Sequence, residues 1–234
     1  MTTATSNPAG YEQLRPLLAR LTGDEKHEPS AYDTLDPIWV LYDRILRVDP
    51  GQPDHPDRDR FLVSKGHGPQ AYYAVLAAKG FIPEDWLDGL GEADSRLGHH
   101  PDRMLVPGVE IGSGSLGHGL GLGVGMALGL RAQGRAQPRV YVLVGDAELD
   151  EGSNHEAIHY AGAVGLDALT VLVIDNRSVA HPLPGGVAPL FAAAGWSTTT
   201  VPGDDHAALA AAFTGHRPGQ PHLVVARARA KGSH

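Results

Sequence analysis

Val140-Tyr-Val-Leu-Val-Gly-Asp-Ala-Glu-Leu-Asp-Glu-Gly152 and, about one helix further on, Thr170-Val-Leu-Val-Ile-Asp-Asn176 contain two short β-branched runs, each ending in polar residues suited to a loop. Val140–Val144 and Thr170–Ile174 are predicted strands, and the chain between them a helix, so the unit reads β-α-β. Strands connected in this way lie parallel and side by side. In open sheets of this kind, ligands gather beyond the carboxyl ends of the strands. Asp146 and Asn176 fall at those two ends, 30 positions apart. A carboxylate and an amide oxygen are hard donors, and octahedral Mg²⁺ typically takes only one or two such groups, with phosphate oxygens and water filling the other positions. The pair predicts half of a Mg-diphosphate clamp.

Outward from this unit, Leu14, Leu17, Leu18 and Leu21 share one face of a helix predicted over Tyr11–Leu21. A second helix is predicted over Asp33–Arg47, interrupted or begun near Pro37, and a Pro/Asp-rich loop follows over Asp49–Asp59. Ser64–His67 reads as a turn, Gln70–Lys79 as a helix closed by Gly80, and Leu116–Arg131 as a glycine-rich helix. Beyond Asn176, Ser178–Gly186 reads as a loop. Val187–Ala194 and Asp205–Phe213 read as helices flanking a strand near Trp196–Val201, and His222–Ala228 as the final strand.

The 234 residues, 42% of them hydrophobic, suffice to bury a core, and every motif falls within one α/β pattern. One domain over residues 1–234, with a helical N-terminal segment, is therefore expected. The formal charge of −8, with no basic stripe to offset it, argues against nucleic acid as a partner. Cysteine is absent, which excludes a disulfide framework and thiol catalysis. The first eight residues lack the charged and apolar regions of a signal peptide, and the apolar stretch Leu116–Leu130 is broken by glycines and carries His118. No membrane role is expected, and the cytoplasm is the expected compartment.

Two motifs point elsewhere. Gly112-Ser-Gly-Ser-Leu-Gly117 has the glycine spacing with which a dinucleotide fold brings backbone amides to a pyrophosphate. Only Val109–Ile111 precedes it as a candidate strand, however, and no acidic residue follows at about twenty positions to hold a ribose. His155-Glu-Ala-Ile-His159 places two histidines on one helix face, as a zinc hydrolase requires, but the third position of the longer zinc pattern is Gly165. Ser153 and Glu156 of the same stretch have the spacing of a capping box, an ordinary way to begin a helix.

Gly145, Asp146 and Asn176 resemble the signature of the thiamin diphosphate (ThDP) enzymes, which is Gly-Asp-Gly, a gap of somewhat under thirty residues, then Asn; Ala147 replaces the second glycine. Three further blocks resemble the transketolase branch in its own order. Asp57-Arg-Asp-Arg-Phe-Leu-Val-Ser-Lys-Gly-His-Gly68 is similar to D-R-D-R-F-V-L-S-K-G-H-A, and Leu97-Gly-His-His-Pro-Asp-Arg103 to L-G-G-H-P-D-R. Pro107-Gly-Val-Glu-Ile-Gly-Ser-Gly-Ser-Leu-Gly-His-Gly119, continuing to Gly125-Met-Ala-Leu-Gly129, is similar to P-G-V-E-x-S-T-G-S-L-G-H-G followed by V-G-M-A-L-A. The best match is the separately encoded N-terminal subunit of a split transketolase.

The resemblance implies an α/β ThDP-binding fold, a mostly parallel sheet flanked by helices, serving as a pyrophosphate-binding domain. It implies Mg²⁺ on Asp146, Asn176 and Ser178, and ThDP on His67, Gly114, Leu116, Gly145, Asp146, Ala147 and Asn176. His67 matches a histidine near the diphosphate and reaction centre, and His100 the one that contacts the donor's ketol hydroxyl. Glu151 matches a glutamate that meets the partner domain's activating carboxylate. His27 falls at a further family histidine, although the glycines around it are gone. The implied reaction transfers a two-carbon ketol unit from a ketose phosphate to an aldehyde or to a carrier-bound acceptor, such as a carrier protein or lipoyl group. The implied partner is a C-terminal-type subunit that binds the pyrimidine, in an α₂β₂ assembly.

Some residues depart from the family. His181 stands where transketolases usually have Asp, and the chain stops about where the family continues into a segment with another active-site histidine, so the acceptor side is expected to be open or filled by another protein. Two other readings remain: a ThDP subunit of the 2-oxoacid decarboxylase type, or a non-catalytic regulatory or scaffold subunit that kept the fold.

Overall fold

The computed structural model describes residues 10–22, 28–178 and 185–229. His27, His181, Pro182 and Pro184 lie outside them. Five strands, β1 (Arg60–Val63), β2 (Val140–Gly145), β3 (Leu169–Asp175), β4 (Ser197–Pro202) and β5 (His222–Arg227), form one sheet in the order β1-β2-β3-β5-β4. Every neighbouring pair is parallel, with Val142 opposite Val171 and Val171 opposite Leu223 across the centre. The fold is a parallel α/β sheet flanked by helices.

Helices cover both faces, which is why β2, β3 and β5 read as nearly unbroken apolar runs. On one face, Tyr141, Leu143, Leu172, Ile174, Val224 and Ala226 pack under α1 (Leu14–Leu18), α2 (Glu28–Val40), α3 (Gln70–Ala78) and α7 (His206–Thr214). On the other, Val140, Val142, Val144, Val171, Val173, Leu223 and Val225 pack under α4 (His118–Ala132), α5 (Gly152–Ala163) and α6 (Val187–Ala193). The two sets alternate along each strand, as the two-residue period of a strand requires.

Close packing on the second face needs glycine. A Cβ on Gly162 of α5 would stand 1.7 Å from the carbonyl oxygen of Ala194. Trp196 Nε1 donates to the Ile158 carbonyl at 2.8 Å and fixes the same contact. Because a backbone carbonyl cannot swing away like a side chain, Gly162→Ala is expected to destabilise the fold by about 3 kcal/mol, the upper part of the overpacking range. Urea unfolding of the full chain checks this; a midpoint equal to that of the parent would contradict it.

The structure corrects the sequence reading at several elements. No strand was expected at Arg60–Val63, where four residues carry too little alternation to stand out; β1 is fixed by its ladder to β2. The predicted helix over Tyr11–Leu21 is a 3₁₀ turn, Tyr11–Gln13, followed by the short α1. The second helix begins at Glu28, runs through Pro37 and ends in a single π-helical turn at Leu41–Ile45. One lost backbone bond is tolerated there because Ile38, Trp39, Val40 and Leu41 are all buried.

The capping box does not form. A 3₁₀ turn over Ala147–Asp150 leads directly into α5, so Glu151 is the cap residue and makes no side-chain cap bond. Ser153 lies inside the first turn, and its hydroxyl donates to the Gly117 carbonyl at 2.9 Å, tying α5 to the start of α4.

Candidate functional site

The carboxyl ends of β1, β2 and β3 stand side by side, and the loops leaving them carry Ser64–His67, Asp146–Ala147 and Asn176–Ser178. With Ser30 from α2 and Leu116 from the loop before α4, they line a cleft of about 320 Å³. The sheet order therefore brings together three segments that the sequence holds far apart.

Asp146 is 2% exposed. Its Oδ1 accepts from the Ala147 amide at 2.8 Å and from the Ser178 hydroxyl, and its Oδ2 accepts from the Ser178 amide at 2.9 Å. Arg177 makes that return possible: at φ 58° it is the one non-glycine residue of positive φ among the described residues. A bulky residue in the left-handed region is unusual and costs about 1 kcal/mol or more, and such strain concentrates at functional sites.

Asn176 supplies the observation that tests the metal. Its Nδ2 donates to Asp33 Oδ2 at 3.3 Å, whereas its Oδ1 is buried with no hydrogen-bond partner among the described residues. An orphaned buried acceptor is rare and calls for an explanation such as an ion. Beside a carboxylate at the next strand end, it suits Mg²⁺, which takes few protein oxygens and keeps its other positions for phosphate and water. The donor set does not suit zinc, whose sites are built from Cys, His and carboxylate groups. Among the described residues no group of three or more His, Cys, Asp or Glu is placed to hold a metal, and His155 Nε2 lies 2.9 Å from the Leu149 carbonyl.

Two charged residues that the sequence reading did not single out control the floor of the cleft. Glu148 is 2% exposed; its carboxylate accepts from the Ser64 hydroxyl, from the Gly117 amide at 2.8 Å and from the Gly145 amide at 3.2 Å. Burial raises its pKa, opposed by those three bonds and by Lys65. One side chain thus fixes the β1 turn, the start of α4 and the end of β2. Lys65 donates to the Ser30 hydroxyl. Burial pushes its ammonium down to about 8, against the attraction of Asp33, Glu148 and Asp146. The sequence signal for Lys65 was its place inside the Asp57–Gly68 block, and for Glu148 its position beside Ala147.

The same bonds dispose of the dinucleotide reading. The Gly117 amide goes to Glu148 and the Gly119 amide to Ser64 Oγ at 3.0 Å, so the start of α4 does not offer them to a pyrophosphate.

His67 and His100 meet edge to face with ring centroids 4.4 Å apart. Gly66 permits this, because a Cβ there would lie 2.5 Å from His100 Cδ2 and 3.0 Å from the Gly114 amide nitrogen. His99 turns the other way, with Nε2 only 2.6 Å from where a Cβ on Gly91 would stand. Adjacent histidines thus face different surroundings, and His100 is the one beside His67. Glu151 is exposed and packs against Gly117, whose φ is +83° and whose absent Cβ would fall 2.7 Å from the Glu151 Cβ. It therefore lies by the Gly114–Leu116 loop, where Leu116 is 43% exposed at the mouth of the cleft. Ala147 lines the cleft and is exposed.

Residues 24–229 match the family described as transketolase, thiamine diphosphate binding domain. The chain belongs to the transketolase family. Membership in this family of transferases agrees with the order of the four sequence blocks, three of which contribute residues to the cleft. The chain is similar to the "Ferredoxin fas2" protein of Rhodococcoides fascians, 52% identical over 216 residues, covering 92% of this chain and 71% of that protein. The word ferredoxin does not reach this chain, since iron–sulfur clusters are held by cysteine thiolates and it has no cysteine. It is also similar to an apulose-4-phosphate transketolase subunit from Phocaeicola vulgatus, 37% identical over 199 residues, covering 82% of this chain and 70% of that one. A crystal structure of a transketolase from Pichia stipitis superposes with a TM-score of 0.81 at 26% identity, covering 93% of this chain. The chain spans 35% of the length of that transketolase. No helix among the described residues is long and apolar enough to cross a membrane.

Proposed function

We propose that this chain is the diphosphate-binding N-terminal subunit of a two-chain, ThDP- and Mg²⁺-dependent transketolase that moves a two-carbon ketol unit from a ketose phosphate to an aldehyde or carrier-bound acceptor. The observation that carries this reading is the buried Asp146 carboxylate next to the orphaned Asn176 Oδ1, on the cleft that Lys65 and His67 also line. Asp146, Asn176 and Ser178 would hold Mg²⁺, and Gly145 and Ala147 would present backbone to the diphosphate. ThDP, when bound, supplies the carbon nucleophile and stores the two-carbon unit. The chain's own task is proton movement and orientation. His67 and His100, in mutual contact, take and return the protons of the donor hydroxyls, work suited to imidazole near neutral pH.

Residues 1–234 form one pyrophosphate-binding domain in this reading, with His27 a further candidate for proton transfer. The other half of the site, including the activating carboxylate, comes from a C-terminal-type partner in a cytoplasmic α₂β₂ enzyme. Glu151 and the Gly114–Leu116 backbone, adjacent at the cleft mouth with Leu116 exposed, form the shared surface.

The test is reconstitution. Alone, the chain is expected to bind ThDP weakly and turn nothing over; mixed with the partner, ThDP, Mg²⁺ and a panel of ketose phosphates, it is expected to yield a shortened aldose phosphate by mass spectrometry. Carbon dioxide from a 2-oxo acid would establish the decarboxylase reading, and turnover of neither class would leave a non-catalytic subunit. Full-rate ketose cleavage by the single chain, shown free of partner, would refute the two-chain reading.

A further inference from the structure

An asparagine amide has two ends of nearly equal size, and only the oxygen end ligates Mg²⁺. What holds the nitrogen end therefore decides whether Asn176 is a ligand at all. We propose that Asp33 is the positioning residue that performs this selection, turning the Asn176 oxygen toward the metal; the inference rests on the metal site proposed above.

Asp33 belongs to α2 and lies 143 positions from Asn176 in sequence. Its Oδ2 accepts from Asn176 Nδ2 at 3.3 Å, and the opposite end of the same amide, Oδ1, is the buried atom with no partner among the described residues. An ionised carboxylate only accepts hydrogen bonds. Facing Asn176, it welcomes the amide nitrogen and repels the amide oxygen, whereas a hydroxyl or a second amide would accept either end. Lys65 donates to the Ser30 hydroxyl, one turn before Asp33 on the same helix. Partners that orient a metal ligand in this way typically change metal affinity 10- to 100-fold when removed.

The experiment compares Asp33→Leu, Asp33→Asn and Asn176→Ala in the full chain, titrating Mn²⁺ in the presence of ThDP and following bound metal by electron paramagnetic resonance. Thermal unfolding of each variant shows that it is folded. Asp33→Leu is expected to weaken Mn²⁺ binding about 10-fold or more, because no acceptor then anchors the nitrogen end and the amide is neither oriented nor held in place. Asp33→Asn, which can still accept from Nδ2 but no longer excludes the reversed amide, is expected to lie within about 3-fold of the parent, well above Asp33→Leu. Metal affinity unchanged in Asp33→Leu would overturn the proposal, and so would Asp33→Asn as weak as Asp33→Leu, since charge alone would then explain the effect. If Asn176→Ala also binds Mn²⁺ like the parent, the metal site itself is misplaced and the selection by Asp33 falls with it. Loss in Asn176→Ala together with no loss in Asp33→Leu refutes the selection while leaving the metal site intact.

Discussion

Asp146→Ala is expected to abolish metal-dependent cofactor binding, lowering the affinity for ThDP with Mg²⁺ by more than about 100-fold, since loss of an outer partner alone reaches that range. The carboxylate is the one charged ligand of the proposed pair, and it is also the acceptor that gathers the Ala147 amide and both the amide and hydroxyl of Ser178. Its removal takes away the charge that draws Mg²⁺ and releases the loop that Arg177 holds at positive φ. Calorimetric titration of the assembled enzyme with ThDP, with and without Mg²⁺, measures the effect. His155→Ala is the paired control and is expected to leave metal dependence unchanged. Stoichiometric zinc that disappears with His155→Ala would instead restore the zinc reading of the His155–His159 helix face, and near-parental ThDP affinity in Asp146→Ala would refute the clamp.

His100→Ala is expected to slow cleavage of the ketose donor by about 100-fold while leaving ThDP affinity near that of the parent, the size of a lost general acid–base group. His100 touches His67 and sits over Gly66, whereas Asp146 and Asn176, the proposed ligands, lie at the ends of other strands, so the substitution leaves the proposed metal site untouched. His99→Ala separates the two adjacent histidines. Its ring packs toward Gly91, and its loss is expected to leave the donor half-reaction unchanged. Single-turnover measurement of donor cleavage distinguishes this from an effect on product release. An unaltered half-reaction in His100→Ala, or a large loss in His99→Ala, would reverse the assignment.

The sequence by itself determined the β2–α5–β3 unit, the parallel pairing of its strands and the cofactor family. Each of these depends on residues close together in the chain: β-branched runs set the strands, and Gly145, Asp146 and Asn176 fall at their ends by counting alone. It also indicated which histidines to consider, through the motifs around them. It misplaced the start of α5, because a local capping pattern competed with the 3₁₀ turn and with Gly117, which lies 36 positions from Ser153 and takes its hydroxyl.

Only the tertiary structure decided the rest. The motif had singled out His100, and the packing at Gly66 and Gly91 sets His100 against His67 and turns His99 away. Glu148 reaches Ser64 across 84 positions, and Asp33 reaches Asn176 across 143. Neither belongs to the motifs that carried the family resemblance, since a buried carboxylate reads in sequence like any exposed one. The physical reason is that sheet order β1-β2-β3 places three loop ends together and the packing of α2 lowers a fourth segment onto them; such contacts are set by how the layers stack, which no local period or spacing encodes.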